Sequence, residues 1–178
     1  MAMLKKLIIG LAVVVVAFYA IGLMLPSKFH VERSIVIDAS QQDVYAHIVD
    51  LKRWKAWGVW FKRDPNMELT YAGPDRAVGM RSEWKSETEG NGEMTITELE
   101  HGKRVVYQLM FPEMEMGSTG EIVLAPINGS TRVVWMDYGD VGSNITYKYF
   151  GLFMDSMLGP DFEDGLANLK TVAENSTL

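Results

Sequence analysis

The 178-residue sequence contains no cysteine. This absence excludes disulfide scaffolds, thiolate zinc sites, iron–sulfur clusters and cysteine nucleophiles. Basic residues are outnumbered, with 17 Lys and Arg against 23 Asp and Glu, a formal net charge of −6. A chain with this balance lacks the basic surface that binds nucleic acid, so we expect no nucleic-acid partner. Hydrophobic residues make up 48% of the chain, enough to form a packed core rather than a disordered segment.

Motifs for catalysis and metal binding are equally scarce. The chain has three histidines, and no H-x-H, HExxH or carboxylate–histidine cluster has the spacing of a metal site. It contains no G-x-S-x-G sequence and no phosphate-binding glycine loop. The sequence therefore predicts neither a metal ion nor a cofactor.

His47 is the one weak candidate for a catalytic residue. His30 and His101 are expected in solvent, the first beside the N-terminal apolar run and the second in a tight turn. His47 falls on the apolar face of a predicted helix, where an imidazole can act as acid or base near neutral pH. The alternative, which we favour, is a half-buried filler whose ring nitrogen bonds to the backbone.

The longest apolar run lies near the N-terminus. The 19 residues from Leu7 to Leu25 carry no charge and follow Lys5 and Lys6. As a helix this run is roughly 28 Å long, close to the thickness of the hydrocarbon layer of a bilayer. It predicts a single transmembrane helix that is retained, with the membrane as a partner.

A cleaved signal peptide and a buried core helix are the alternatives for this run. The apolar region of a signal peptide usually covers about 7–15 residues and ends at an A-x-A-like site, which is missing here. A core helix is rarely apolar all round at the extreme end of a chain.

We therefore divide the chain into an anchor, residues 1–26, and a domain, residues 27–178. The two N-terminal lysines slightly favour a cytoplasmic N-terminus, which would place the acidic domain outside the cytoplasm.

The remainder reads as a strand, short helices and a meander of further strands. Hydrophobic alternation predicts a strand over residues 31–38, and Ser40 can cap a following helix. Short helical turns are expected over residues 51–62. Turn formers then separate six segments of strand length: 67–72, 80–86, 92–100, 104–111, 118–125 and 131–137. Their short connections predict sequential antiparallel pairing.

Helical spacing returns near the C-terminus. Apolar residues form one stripe within 150–157 and another within 162–173, and Gly159-Pro160 between them is expected to kink or divide the helix. Asp161, just after the proline, is expected in a first helical turn. Buried acids there, or at Asp155, would need partners. The candidates are three arginines of the predicted sheet: Arg81, Arg104 and Arg132.

Five local sequences carry a resemblance to a known family. They are VERSIVIDASQQDVYAHIVDLKRW (31–54), the Trp54/Trp57/Trp60 cluster, GEMTITELEHGKRVVYQL (92–109), TRVVWMDYGD (131–140) and GLFMDSMLGPDFEDGLANLK (151–170). Together they resemble the SRPBCC (START-like) superfamily, in its polyketide cyclase/dehydrase and lipid-transport branch, and the last is similar to a membrane-anchored bacterial subgroup. The family commonly separates these tryptophans by proline, whereas Lys55 and Val59 stand here.

The resemblance implies an α+β helix-grip (START/Bet v 1-like) fold, in which a curved antiparallel sheet surrounds a long C-terminal helix. It also implies a ligand cavity between sheet and helix. The candidates for its lining are aromatic and methionine side chains, each of which could equally be ordinary core. They are Trp54, Trp57, Trp60, Trp84, Met94, Tyr107, Met110, Trp135, Met136, Met154 and Met157.

Three functions stay open on the sequence. The first is a membrane-tethered binder of a hydrophobic small molecule or lipid, favoured by the anchor and by the lack of a paired acid and base. The second is an enzyme of the cyclase/dehydrase type, in which the cavity orients a reactive chain and polar groups move protons. The third is a protein-interaction domain with a filled core and no ligand.

Overall fold

A computed structural model of the chain describes residues 2–114 and 116–176. A curved seven-stranded antiparallel sheet wraps around a long C-terminal helix, which confirms the predicted helix-grip fold. The strands are β1 (Lys28–Ile37), β2 (Glu68–Ala72), β3 (Arg81–Lys85), β4 (Gly92–Glu100), β5 (Arg104–Phe111), β6 (Met116–Ile127) and β7 (Ser130–Asp140). The helices are α1 (Ala2–Met24), α2 (Gln41–Ile48), α3 (Val59–Arg63), α4 (Ile145–Gly151) and α5 (Met154–Asn175), with 3₁₀ turns at Leu51–Ala56 and Pro112–Met114.

The sheet order is β1-β7-β6-β5-β4-β3-β2, so strands β2 to β7 form the predicted meander. β1 joins the sheet beside β7, in a register that runs from Lys28 opposite Asp140 to Ile37 opposite Thr131. The β6–β7 hairpin turns through Asn128-Gly129, both with positive φ. An Asn-Gly pair is the preferred sequence for such a two-residue turn. β6 and β7 are longer than the sequence pattern predicted because each is paired along most of its length on both sides.

The short helices after β1 close one end of the curved sheet. The Ser40 hydroxyl caps α2 by accepting from the amide of Asp43, as the sequence indicated. The Asp50 carboxylate in turn accepts from the amide of Lys52 at the start of the 3₁₀ turn. These caps direct Trp54 and Trp57 into the space between the sheet and α5, where both side chains are buried.

The core joins the C-terminal half of α5 to the middle of the sheet. The Trp135 ring of β7 stacks on Phe162 of α5, with centroids 4.1 Å apart and planes 6° apart. Gly165 allows this approach, since a Cβ there would lie 2.8 Å from the Trp135 ring. Leu166 and Leu169, on the next turns of the helix, are buried. Burial of this apolar face holds α5 on the sheet.

Helix α5 runs unbroken through Gly159-Pro160, so the division expected there is wrong. The break lies earlier, at residues 152–153, between α4 and α5. Asp161 is accordingly inside the helix rather than in its first turn. Pro160 has no N–H, so the helix lacks one backbone hydrogen bond at this turn. The Arg33 guanidinium donates to Asp155 before the proline and to Glu163 after it, and so connects the helical turns on both sides.

Helix α1 extends away from the sheet with nearly all its side chains exposed. Its segment Met3–Met24 is the one helical segment among the described residues that is long and apolar enough to cross a membrane. The helix ends at Met24, so Leu25 lies just beyond it. The division of the chain at residue 26 stays a prediction.

Replacing Gly120 by alanine is expected to destabilise the domain by about 1–3 kcal/mol. Gly120 is buried on β6 between Tyr107 and Asp137 of the neighbouring strands, and a Cβ there would overlap the Tyr107 ring. Urea unfolding of the detergent-solubilised full-length protein measures the change. Thr119→Ala, on the opposite face of the same strand, is the control, and equal stability of Gly120→Ala and wild type would contradict this packing.

Candidate ligand-binding cavity

A cavity of about 530 Å³ lies between the sheet and the N-terminal half of α5. Here the helix stands away from the strands, whereas its C-terminal half packs closely on them. The sheet contributes a wall of mostly apolar side chains: Phe29, Trp84, Met94, Tyr107, Leu109, Phe111 and Met116. The helices contribute the opposite wall: Leu51, Trp54, Trp60, Phe61, Phe150, Met154, Met157, Leu158 and Phe162.

Seven of the sequence candidates line this cavity: Trp54, Trp60, Trp84, Met94, Tyr107, Met154 and Met157. Trp57 and Trp135 lie behind the wall in closed core, because Trp57 packs 4.5 Å from Trp54 and Trp135 is covered by Phe162. Met110 and Met136 lie on the outer face of the sheet, since side chains alternate between faces along β5 and β7. Their assignment to the cavity is wrong for that reason. Whether any of the seven contacts a ligand stays a prediction.

Trp54 in the cavity wall and Trp135 behind it are oriented by their indole N–H groups and by stacking. The Trp54 Nε1 donates to the carbonyl of Ile48 at 2.9 Å, and the Trp135 Nε1 donates to the Tyr107 hydroxyl at 2.7 Å. Satisfying these donors inside the core removes the main cost of burying the rings. Burial raises the pKa of Tyr107 well above its usual range, so this phenol is neutral.

Asp137 is the polar residue that the sequence reading missed. Its side chain is 2% exposed and reaches the cavity from β7. The Ser118 hydroxyl donates to its Oδ2 at 3.0 Å. Burial raises the pKa of the carboxyl to about 7, and the Ser118 bond opposes that rise. The sequence TRVVWMDYGD could have indicated this position. Val133 and Trp135 face inward, and because side chains alternate along a strand, Asp137 lies on the same face.

An ion-pair cluster forms part of the cavity rim. Arg63 of α3 donates to Asp161 of α5 and to Glu89 of the β3–β4 loop, with closest distances of 2.7 Å. These hydrogen bonds raise the pKa of Arg63, which is cationic in any case. The cluster connects three elements around one opening. Individual contacts of this kind are worth little in water, although a network holds its members in place.

The arginines expected to pair with α5 do not do so. Arg81 pairs with Glu83 and Glu93, and Arg104 pairs with Glu98 and Glu121, all on the sheet itself. Arg132 is exposed on β7. The acids of α5 bind Arg33 and Arg63 instead, because these two flank the N-terminal half of the helix.

His47 lies outside the cavity wall. It is buried beneath the C-terminal end of α5, where its Nε2 lies 3.2 Å from the Ser176 hydroxyl. The expected backbone partner for the ring is therefore wrong, and the partner is a side chain. Burial lowers the pKa of His47, so the ring is neutral at physiological pH. Among the residues that the structure describes, no group of three or more His, Asp or Glu could hold a metal ion.

Asp137→Asn is expected to remove a pH dependence of stability. In the unfolded chain the carboxyl titrates near 3.9, whereas in the fold its pKa is about 7. Between these values only the unfolded state releases the proton, so the free energy of unfolding of the wild type falls as pH rises, by up to about 4 kcal/mol. The asparagine variant lacks this contribution.

Urea unfolding of both proteins from pH 4.5 to pH 8 measures the difference. The variant should gain stability relative to the wild type as pH rises and then level off. Asp164→Asn, an exposed position on α5, is the control and should leave the pH dependence unchanged. Parallel curves for Asp137→Asn and wild type would show that the carboxyl is not held neutral by its surroundings.

Solved structures share this fold at low sequence identity. A protein of unknown function from Staphylococcus aureus is 17% identical with a TM-score of 0.65, covering 84% of this chain and 96% of its own. Truncated norcoclaurine synthase from Thalictrum flavum is 10% identical with a TM-score of 0.62, at 84% and 96% coverage. The di-domain ARO/CYC StfQ from the steffimycin biosynthetic pathway is 15% identical with a TM-score of 0.62, over 83% of this chain and 51% of that one.

Comparison with curated proteins finds no match. The family described as polyketide cyclase/dehydrase and lipid transport, in contrast, matches residues 28–174, from the first residue of β1 to the last turn of α5. This span includes the whole sheet, the cavity and the helix that covers it. The chain therefore belongs to the polyketide cyclase/dehydrase and lipid-transport family.

Proposed function

We propose that this protein is a membrane-tethered binding protein for a hydrophobic small molecule or lipid, which it holds between the sheet and α5. The main support for the proposal is the cavity of about 530 Å³, which is lined mainly by apolar and aromatic side chains. Ligand sites commonly have volumes of about 300–1,000 Å³ and combine an apolar lining with a few polar groups. A protein-interaction domain with a filled core accords less well with such a space.

Asp137 and Ser118 are two hydrogen-bonded polar groups in the cavity wall. A buried carboxyl in apolar surroundings favours a ligand head that carries a hydroxyl or another hydrogen-bond donor over one that carries an anion. The long apolar walls suit an alkyl chain or fused rings. The expected ligand is therefore mainly apolar with a small, uncharged donor head.

The proposed membrane tether is inferred from helix α1. Its 22 residues from Met3 to Met24 would be about 33 Å long, enough to cross the hydrocarbon layer. A binding domain attached to the bilayer meets lipophilic molecules at high effective concentration. This arrangement allows weak, reversible binding to be useful, since the ligand need not be captured from dilute solution.

Met94→Trp is expected to weaken the binding of hexadecanol about tenfold or more, because the larger side chain occupies cavity volume. Met110→Trp is the matched control, since Met110 sits on the outer face of the adjacent strand. Native mass spectrometry of the detergent-extracted full-length protein measures the occupancy. Equal binding by both variants and wild type would place the ligand elsewhere, and urea unfolding of each variant separates loss of binding from loss of stability.

The full-length protein is expected to stay in the membrane fraction after alkaline carbonate extraction, with an N-terminus that precedes residue 7. The 18 uncharged helical residues from Leu7 to Met24 bind a bilayer too strongly for that treatment to release. Immunoblotting of the fractions and intact-mass measurement provide the test. Release into the supernatant, or a mature chain that begins near Pro26, would contradict the tether.

The second candidate, an enzyme of the cyclase/dehydrase type, is favoured by Asp137. A carboxyl with a pKa of about 7 can donate a proton to a leaving hydroxyl and then accept one from the neighbouring carbon. The fold neighbours include a synthase and an ARO/CYC protein, which fits such chemistry. Under this hypothesis the molecule that copurifies with Asp137→Asn should be heavier by one water than the molecule bound to wild type. An identical bound mass favours the binding protein.

A further inference from the structure

Helix α4 packs mainly against α1. The Tyr149 hydroxyl donates to the carbonyl oxygen of Phe18 at 2.8 Å, and the two rings stack with centroids 4.5 Å apart and planes 14° apart. Ile145 lies against Gly22, where any side chain would overlap it. The absence of a side chain at Gly22 is thus what lets the two helices touch.

These contacts set the depth of α4 along α1. Phe18 lies six residues before Met24, the last residue of α1, a distance of about 9 Å along the helix axis. Tyr149 therefore lies alongside the apolar helix well before that helix ends. If α1 crosses a bilayer, as the proposed function requires, α4 lies at the level of the lipid interface, where tyrosine is enriched.

The short chain segment that joins α1 to β1 also keeps the cavity close to the end of α1. Only three residues separate Met24 from Lys28, the first residue of β1. Ser27 in this connection is already paired, since its carbonyl accepts from the amide of Val141 at 2.8 Å. The second residue of β1, Phe29, lines the cavity. The Cα atom of Phe29 must therefore lie within about 18 Å of the Cα atom of Met24, where α1 ends.

The surface beside this end is apolar. Beyond α1, ten large hydrophobic side chains of the described residues are exposed, and five of them fall within residues 147–157. We name these five the apolar lip: Tyr147, Phe150, Leu152, Phe153 and Met157. The only charged residues of this segment are Lys148 and Asp155, and Asp155 is bound by Arg33. Concentrated exposure of this kind marks a surface that another apolar phase covers.

The apolar lip and the cavity meet. Phe150 and Met157 are exposed at the surface and also line the cavity. We propose that the apolar lip inserts into the bilayer that α1 spans, so that the cavity opens onto the lipid and exchanges its ligand with the membrane without passing through water. The inference rests on the proposed tether, and its occupant is the bilayer surface rather than a second copy or another protein.

Spin labelling of the full-length protein tests the inference directly, because the chain has no cysteine to remove. Single cysteines replace Leu152 and Phe153, which are 51% and 58% exposed and do not line the cavity. Val78→Cys, 53% exposed on the β2–β3 loop, is the matched control. Val14→Cys reports on α1. Each protein is reconstituted into phosphatidylcholine/phosphatidylglycerol vesicles and carries a nitroxide label.

The measurement is the ratio of nitroxide collisions with molecular oxygen, which partitions into lipid, to collisions with a water-soluble nickel complex. We expect this ratio to be at least about threefold higher at positions 152 and 153 than at position 78, because the bilayer core excludes the complex. Equal ratios at all three positions would overturn the inference. Protection of 152 and 153 from both reagents would also overturn it, since a protein surface would then cover the lip.

Position 14 separates this inference from the tether on which it rests. A high oxygen ratio at 14 together with water exposure at 152 and 153 leaves the tether intact and rejects the lip alone. Water exposure at 14 rejects the tether itself. Urea unfolding of each unlabelled variant, compared with wild type, confirms that the labelled proteins are folded.

Discussion

The stack of Trp135 on Phe162 is the contact on which the rest of the domain depends. It brings α5 to the sheet at one point, with Gly165 providing the clearance. Beyond this point toward the C-terminus the helix buries Leu166 and Leu169 and no space is left. On the other side, toward its N-terminus, the helix leaves a space between itself and the sheet, and this space is the cavity.

The N-terminal half of α5 is held mainly by charges rather than by close apolar packing. Arg33 binds Asp155 and Glu163 from one side, and Arg63 binds Asp161 from the other. Gly159 leaves room for the Arg33 guanidinium against the helix. Partly exposed ion pairs are weak individually and are screened by salt. This half of the helix therefore depends more on charged contacts than the C-terminal half does.

The cavity combines mostly apolar walls with the buried carboxyl of Asp137. Asp137 lies beside Ser118 in the cavity wall, on β7 opposite Val31 of β1. Its raised pKa means that its charge changes near neutral pH, so the polarity of the cavity wall around it depends on pH. Tyr107, by contrast, stays neutral and serves as a hydrogen-bond acceptor for Trp135. The two polar groups therefore differ, since Asp137 can change its charge near neutral pH whereas Tyr107 is a neutral structural partner of Trp135.

The sequence by itself determined the elements, their order and the antiparallel meander, because periodicity and turn residues act locally. Seven of the eleven side chains that it offered as lining candidates do line the cavity. Only the tertiary structure decided which of them face it: Trp57 and Trp135 are closed off by other rings, and alternation along β5 turns Met110 outward. The continuity of α5 through Pro160 and the salt-bridge partners of its acids were likewise decided by distant residues. Such contacts join strands and helices far apart in the chain, so no local pattern encodes them.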